Sequence, residues 1–476
     1  MRKLKLTLIT LFTLFAILSP FVFTFVLAVA TPSAFGDTFV GILDEKFERL
    51  NTVQGEKIVV IGGSSVAFGL DSQLLEKYVG MPVVNFGLYA ALGTRLMLDL
   101  SLSGIGEGDV VVIAPEIDRQ TLSLYFNQDT AWRAMEGNPK MLRYVGFDNI
   151  GKMAGGMFGY VKEKLTKGDT GVTDGSVYLS KFFDEYGDYS GLARPVNTLF
   201  SYYDENTPVY LSPAMYGTEL DEFLDYVNSN TKKCARRGAT VYFSFSPINA
   251  LAVAEGADIP AFVDYLAERL DCDIITDLSS KIMGAGYFYD TNFHLNDTGV
   301  IANTLQLARD VKLAEGIITG GIVPDNPEEP ELPEADIRCE GFDENEKYFT
   351  FDKLENGAYT VTGLTELGRM QKSLTLPLSY NNYKVMAVSA GALSGGAMTE
   401  LVIPQDTNIV LLSNGCFMGT ENLSDLYIHV PSGDLISPPI DFYGTAVGFR
   451  VHVPEGSDFA DHYFWGERKL TFVFDL

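Results

Sequence analysis

The sequence predicts an α/β fold, a three-layer α/β/α sandwich built on a parallel sheet, followed by a small C-terminal β-rich domain. Three observations predict it. The continuous β-branched runs Ile58 to Ile61 and Val110 to Ile113 read as strands covered on both faces. Segments of helical periodicity alternate with such runs, which implies parallel βαβ units. The last third of the chain changes grammar, to short apolar repeats set off by a proline-rich acidic stretch.

The chain begins with a membrane anchor or signal segment over residues 1–36. Arg2, Lys3 and Lys5 precede a stretch with no charge before Asp37. Its apolar part, Leu6 to Ala30, exceeds a hydrocarbon core of about 30 Å at about 1.5 Å per residue. The basic flank predicts a cytoplasmic N-terminus with everything after it exported to the cell surface. Ala28-Val29-Ala30 offers a small-x-small cleavage site, so secretion after cleavage is the alternative; the length of the run favours retention.

Residues 37–320 make up the α/β domain. A short amphipathic helix over 37–56 leads into the strand and turn KIVVIGGSSVAFGLD, and a helix starts at the N-cap Asp71. Strand Pro82 to Phe86, a helix over 94–103, the loop GIGEG and strand DVVVIA follow. Residues 120–213 form an insertion or lid, with short helices near 142–157 and 178–185. Its aromatics, among them Phe126, Trp132, Tyr202 and Tyr203, either stack on sugar rings or pack the insertion onto the sheet. Regular order returns with a helix over 219–237, strand Thr240 to Ser246, a helix over 260–270, a strand over 273–277 and a closing helix over 299–314.

Residues 321–337 read as a linker. Pro324, Pro327, Pro330 and Pro333 favour an extended spacer, stiffened by acids. In the domain that follows, over 338–476, two segments align with a period of 24: Val385 with Ile409, Gly391 with Gly415, Leu393 with Phe417 and Gly395 with Gly419. Such a period marks a stacked solenoid. These segments resemble the BspA-like leucine-rich repeats of bacterial surface proteins, and the resemblance implies a module that binds a surface glycan or protein.

Composition excludes several functions. A net charge of −27 argues against nucleic acid, which needs a basic footprint. Four cysteines over 476 residues are no disulfide scaffold, although Cys234 and Cys272 both fall near the amino edge of the sheet, where a bridge is geometrically allowed. No His/Cys cluster has metal-site spacing, so neither a metal nor a cofactor is expected. The GIGEG loop precedes a strand and is no dinucleotide turn.

The chemistry concentrates at the carboxyl edge of the predicted sheet. A serine nucleophile needs a base, and the base an orienting carboxylate. Ser65, His294 and Asp290 supply one of each, and the chain's other three histidines all lie in its C-terminal third. These stretches resemble the SGNH (GDSL-type) hydrolase superfamily, whose fold is flavodoxin-like, over roughly Lys57 to Ala314. Gly63-Ser64-Ser65 matches the Gly-Asp-Ser block, Asn85-Phe86-Gly87 the second block, and Asp290 with His294 the last. The family spaces the last pair as D-x-x-H, against D-x-x-x-H here, and Pro115-Glu116 stands where a block Asn is usual. In the latter respect the chain looks more like the membrane-anchored acyl-transferring branch. The resemblance implies Ser65 as nucleophile and His294 as base oriented by Asp290. It puts Ser65, Gly87 and Asn85 at the oxyanion hole, with Ser64 and Glu116 in support. The substrate it implies is an O-acylated cell-envelope or extracellular glycan, acted on by an esterase or acyltransferase. A non-catalytic surface-binding protein is the alternative.

Overall fold

The computed structural model describes residues 2–166, 178–199, 201–333, 336–339, 341, 343–460, 462–466 and 468–476. The chain divides into two compact units, Met1–Asn197 with Val209–Glu331 and Thr198–Pro208 with Leu332–Leu476.

The first unit opens with helix α1 (Arg2–Ala30), which runs unbroken through Pro20. Its Phe12–Ala30 part is long and apolar enough to cross a membrane and is mostly exposed. Helix α2 (Leu43–Thr52) then leads to β1 (Ile58–Gly62), α3 (Ser64–Gly69), α4 (Ser72–Val79), β2 (Val83–Gly87), α5 (Thr94–Ser101) and β3 (Val110–Ile113). The region read as an insertion holds α6 (Gln128–Ala134) and α7 (Ile150–Thr166); its residues 167–177 lie outside the described ones. After it come α8 (Thr218–Ala235), β4 (Thr240–Phe243), β5 (Ile248–Asn249), α9 (Ile259–Ala267), β6 (Asp273–Ile274), β7 (Ile282–Met283) and α10 (Asp297–Ala314).

Five of these strands form one parallel sheet in the order β2-β1-β3-β4-β6, and β5 pairs with β7 separately. β1 sits between β2 and β3, with Ile58 opposite Val83 on one side and Val110 on the other. All of Ile58 to Ile61 are buried, as a strand flanked on both edges and both faces requires. Val60, Val112, Leu75, Leu305 and Val311 belong to one core between the sheet and helices α4 and α10. Helices α5 and α8 pack on β1 and β4. Asp71 caps α4 as read from the sequence, its Oδ1 accepting from the Leu74 N–H at 2.8 Å. At the amino edge, buried Lys57 Nζ meets Asp109 Oδ2 at 2.8 Å.

Two open readings are decided and one expectation is corrected. Cys234 and Cys272 are free thiols; Cys234 is buried and donates to Asn230 Oδ1, 3.5 Å away. Phe126 and Trp132 are packed inside the unit, Trp132 stacked on Tyr160, and are not offered to a sugar. The first part of the proline-rich stretch is no free spacer. Glu329 Oε1 accepts from the Gly286 N–H at 2.8 Å, Tyr287 donates to the Pro327 carbonyl at 2.7 Å, and Arg309 donates to that of Pro324. An extended proline segment leaves its carbonyls unpaired, and these donors satisfy them. Glu334 and Ala335, farther along the stretch, lie outside the described residues.

The second unit is β-rich. It contains β8 (Phe349–Lys353), β9 (Tyr359–Leu364), α11 (Glu366–Arg369), β10 (Ser373–Thr375), β11 (Ser379–Tyr380) and β12 (Tyr383–Val388). Then follow β13 (Glu400–Ile403), β14 (Leu411–Leu412), β15 (Asp425–Ile428), β16 (Arg450–Val453), α12 (Tyr463–Gly466) and β17 (Thr471–Phe474). Strands β10-β13-β15-β16-β17 make a parallel ladder in which Glu400, Asp425 and Arg450 are successive partners. The aligned glycines stack: the Gly391 N–H donates to the Gly415 carbonyl and the Gly395 N–H to that of Gly419. All four have positive φ, which is why the repeat keeps glycine there. Leu393, Leu401, Phe417, Leu426 and Val451 fill its core. Thr198–Pro208, read as part of the lid, belongs to this unit, and its Asn206 Oδ1 accepts from the Asn414 N–H at 2.7 Å.

Removing one partner of a buried ion pair strands the other. Asp109→Ala is therefore expected to destabilise the α/β unit by about 3–5 kcal/mol, read as an earlier urea transition. Lys57→Met with Asp109→Leu should restore part of that loss and not all of it, because Asp109 also accepts from the Lys57 and Gly106 N–H groups. Equal loss in the single and double variants would contradict this account.

Candidate active site

The order of the sheet reverses between β1 and β3: from β1 the chain moves outward to β2, and from β3 it continues to β4. Open α/β sheets form a crevice at such a switch point, outside the carboxyl ends of the strands. Here β1 ends in Gly62-Gly63 and enters α3, while β3 ends in Ala114-Pro115-Glu116. The Glu116 carboxylate, buried, crosses between them. Its Oε1 accepts the Ser65 N–H at 2.7 Å and the Ser64 hydroxyl at 3.1 Å. A side chain at Gly63 would come within 2.7 Å of the same oxygen, so the second glycine of the turn gives the carboxylate its seat.

The two serines differ. Ser65 is fully buried and its Oγ lies 2.7 Å from Ser246 Oγ. Ser246 donates in turn to the Ala114 carbonyl at 2.8 Å, which leaves Ser65 as the donor to Ser246. Ser65 is thus committed inward, contrary to the expectation that it is the exposed nucleophile. The physical reason is helix geometry: one residue along α3 turns the side chain by about 100°. Ser64 is the more exposed of the two, although its hydroxyl too is engaged, on Glu116.

The expected oxyanion donors are also engaged. The Ser65 N–H is on Glu116. The Gly87 N–H donates to Asn85 Oδ1 at 3.0 Å, and Asn85 Nδ2 donates to the Val66 carbonyl at 3.0 Å and to Asp188 Oδ1 at 2.8 Å. Asn85 is fully buried and ties β2 to α3 and to the segment carrying Asp188. Burial pushes the Asp188 carboxyl up to about 7 and the neighbouring Lys46 ammonium down to about 7, so both are driven toward their neutral forms.

His294 and Asp290 do come together. His294 Nδ1 is 2.8 Å from Asp290 Oδ1, which assigns the Nδ1 proton to the carboxylate side and leaves Nε2 as the basic nitrogen. The four-residue spacing works because the turn is closed internally. The His294 N–H donates to Thr291 Oγ1 at 2.9 Å, and the Tyr289 N–H donates to the His294 carbonyl at 2.9 Å. Tyr178 donates to Asp290 Oδ2 at 2.7 Å. Burial pushes the Asp290 carboxyl up, but His294, Tyr178 and Arg194 outweigh it, and the group is held below the ordinary carboxylate range. The Tyr178 hydroxyl is pushed well up by burial and by Asp290, so it stays a donor.

The imidazole stacks on Phe68, with ring centroids 4.0 Å apart, and Phe68 stacks on Tyr189 at 4.1 Å. Phe68 lies four residues after Ser64 on α3, one helical turn along the same face. Arg194 donates to the carbonyls of both Phe68 and Leu295, tying α3 to the histidine turn. No hydrogen bond joins His294 to either serine among the described residues. Three site residues were not read from the sequence. Phe68 and Ser246 carried a signal, as a residue one turn from Ser64 and a serine at a strand's carboxyl end. Tyr178 sits far away in an irregular segment and carried none.

No known family model matches this chain, and no curated protein matches it either. The reading of the crevice therefore rests on its geometry.

Asp118 lies behind Glu116. Burial and the Glu116 charge raise its carboxyl to about 6. The Thr121 hydroxyl is 2.6 Å from the Glu116 carbonyl and 2.5 Å from Asp118 Oδ2. Its one proton can serve only one of them, so a protonated Asp118 completes the set. An acid with a raised folded pKa adds stability below its unfolded value, near 3.9, and loses it as pH rises through about 6. Asp118→Asn, whose amide can donate to Thr121, should thus match wild type at pH 4. It should become more stable than wild type by up to about 3 kcal/mol above pH 6. A stability difference that does not change with pH would overturn this assignment.

Proposed function

We propose that the chain is an anchored, exported serine-dependent acyl-ester hydrolase or O-acyltransferase of SGNH type, with Ser64 rather than Ser65 as nucleophile. The observation that carries this reading is the pairing of His294 with Asp290 beside Phe68, on the face of α3 that Ser64 heads. Ser64 attacks the ester carbonyl, His294 Nε2 takes the hydroxyl proton and returns it to the leaving alcohol, and Asp290 holds the imidazole and its developing charge. Glu116 Oε1 rests on the Ser65 N–H and marks where a negative oxygen is held. In the reaction the acyl oxygen replaces it there, and the carboxylate swings aside. The substrate is an acylated envelope or extracellular glycan; the acyl group left on Ser64 passes to water or to a second hydroxyl, activated in turn by His294, and the ladder of the second unit serves as a leucine-rich-repeat-like binding module. Retention of α1 is supported by its last turns: Thr24 and Ala28 are buried, and Lys164 Nζ donates to the Ala28 carbonyl. Cleavage after Ala30 would strip that buried ammonium of an acceptor.

One observation favours a second reading, a non-catalytic surface-binding protein. All three expected oxyanion donors are engaged by the protein itself.

Kinetics on a small acetyl ester decide between them. Ser64→Ala and His294→Ala should each abolish turnover to a similar level, because nucleophile and base act as a unit. Ser65→Ala should be mild in kcat, and Glu116→Ala should keep turnover, since it frees the Ser65 amide. A fluorophosphonate probe should label Ser64. A wild-type protein that turns over no acyl ester and takes no label would establish the binding reading.

Intact mass of the membrane fraction should include residues 1–30. A mature chain starting at Thr31 would refute the anchor and leave export standing.

A further inference from the structure

The apolar surface of helix α7 extends beyond the side that the protein covers. Met153, Met157, Tyr160 and Val161 are buried against the α/β unit. A stripe about a quarter-turn round the helix from them carries Ile150, Ala154, Phe158 and Leu165, all exposed, and the side opposite the covered one carries Gly151, Gly155, Gly159, Lys152 and Lys162. Phe147, just before the helix, is 91% exposed. An apolar stripe wider than the covered face of a helix is normally covered by something else. Among the described residues, the fully exposed charges on α7 are Lys152 and Lys162, in a chain of net charge −27; Glu163 is partly covered and held by Arg133 at 2.9 Å.

What lies beside this stripe is α1. Phe21 meets Phe158 edge to face, with ring centroids 5.2 Å apart, and Lys164 caps the Ala28 carbonyl while pairing with buried Glu136 at 2.8 Å. Glu136 also accepts from the Ser33 hydroxyl and the Ala34 and Phe35 N–H groups, which locks the exit of α1 onto this corner. Phe21 precedes the end of α1 by about 14 Å of helical rise. Phe158 thus stands level with the apolar part of α1, not beyond it.

We infer that α7 lies in the membrane on the side of the folded domain. Its exposed stripe lies against the acyl chains beside α1, and Lys152 and Lys162, on the side away from the covered face, reach toward the headgroups. The ligand is the bilayer itself. This rests on α1 spanning the membrane and is independent of the chemistry at Ser64. Its consequence is orientation: with α7 and α1 both held, the α/β unit is fixed against the surface and not hung from a swivel.

The test uses the full chain reconstituted in phosphatidylcholine–phosphatidylglycerol vesicles. Half-buried Cys272 and Cys339 are replaced by serine, and nitroxide labels are placed singly at Ile150→Cys, Phe158→Cys, Phe15→Cys on α1 and Glu219→Cys on α8. Collision with oxygen, which partitions into lipid, is compared with collision with a water-soluble nickel chelate. The ratio of oxygen to nickel accessibility at 150 and 158 should approach that at 15 and exceed that at 219 severalfold. If 150 and 158 behave like 219 while 15 reports lipid, α1 spans and α7 does not dock, and the inference fails alone. If 15 also reports water, the anchor and the inference fail together. If 150 and 158 are shielded from both reagents, a second copy or another protein covers the face, and the lipid assignment is wrong.

Discussion

The crevice of this protein depends on one buried carboxylate. Glu116 leaves the end of β3 and rests on the first turn of α3, which leaves the end of β1. A negative group is favoured there because the first N–H groups of a helix have no partner within it. The contact ties together the two strand ends that flank the switch point, and Gly63 is what lets the carboxylate approach. The same contact sets which serine faces outward, since it holds the turn that starts α3. Asp118 behind it therefore holds its proton to a higher pH than an ordinary carboxyl, first because it is buried and then because the Glu116 charge is beside it.

Around that contact, the site is assembled by packing more than by polar bonds. Phe68 is stacked between His294 and Tyr189, and Arg194 lies 5.3 Å from both the Phe68 and Tyr189 rings while its donors hold the carbonyls of α3 and the histidine turn. The imidazole is therefore oriented twice, through Nδ1 by Asp290 and through its face by Phe68. A side chain held in this way has little freedom left to lose. The Gly87 and Asn85 donors are engaged within the protein, so a ligand must displace an internal acceptor to gain one of them.

The first unit also shows how a terminal helix can be made part of a domain. Lys164 and Glu136 are both almost fully buried, and together they satisfy the last carbonyls of α1 and the first amides after it. The helix end thus has its caps supplied from α7 and from the turn that follows α6. In the second unit the same requirement, that backbone groups be paired, is met by stacking. Each repeat's strand pairs with the next, and its glycine turn donates to the glycine turn above it.

Much was determined by the sequence alone. The unbroken β-branched runs of β1 and β3 read as strands covered on both faces, so these strands, the parallel alternation with helices and the 24-residue stacking of the glycine turns were all legible. So was the Asp290–His294 pair, because only one histidine in the first two thirds of the chain could serve. Which serine faces the crevice was not legible. Successive residues at a helix start differ by about 100° in direction, and only the placement of Ser246 and Glu116 decides between them. Nor could the sequence tell that Gly87 and Asn85 spend their donors internally, that the proline-rich segment is strapped down by Tyr287 and Arg309, or that α7 leaves an apolar face open beside α1. Each of these depends on which distant residue fills a given hydrogen-bonding or packing position. Local pattern carries the period of an element, and only the tertiary structure sets its partners.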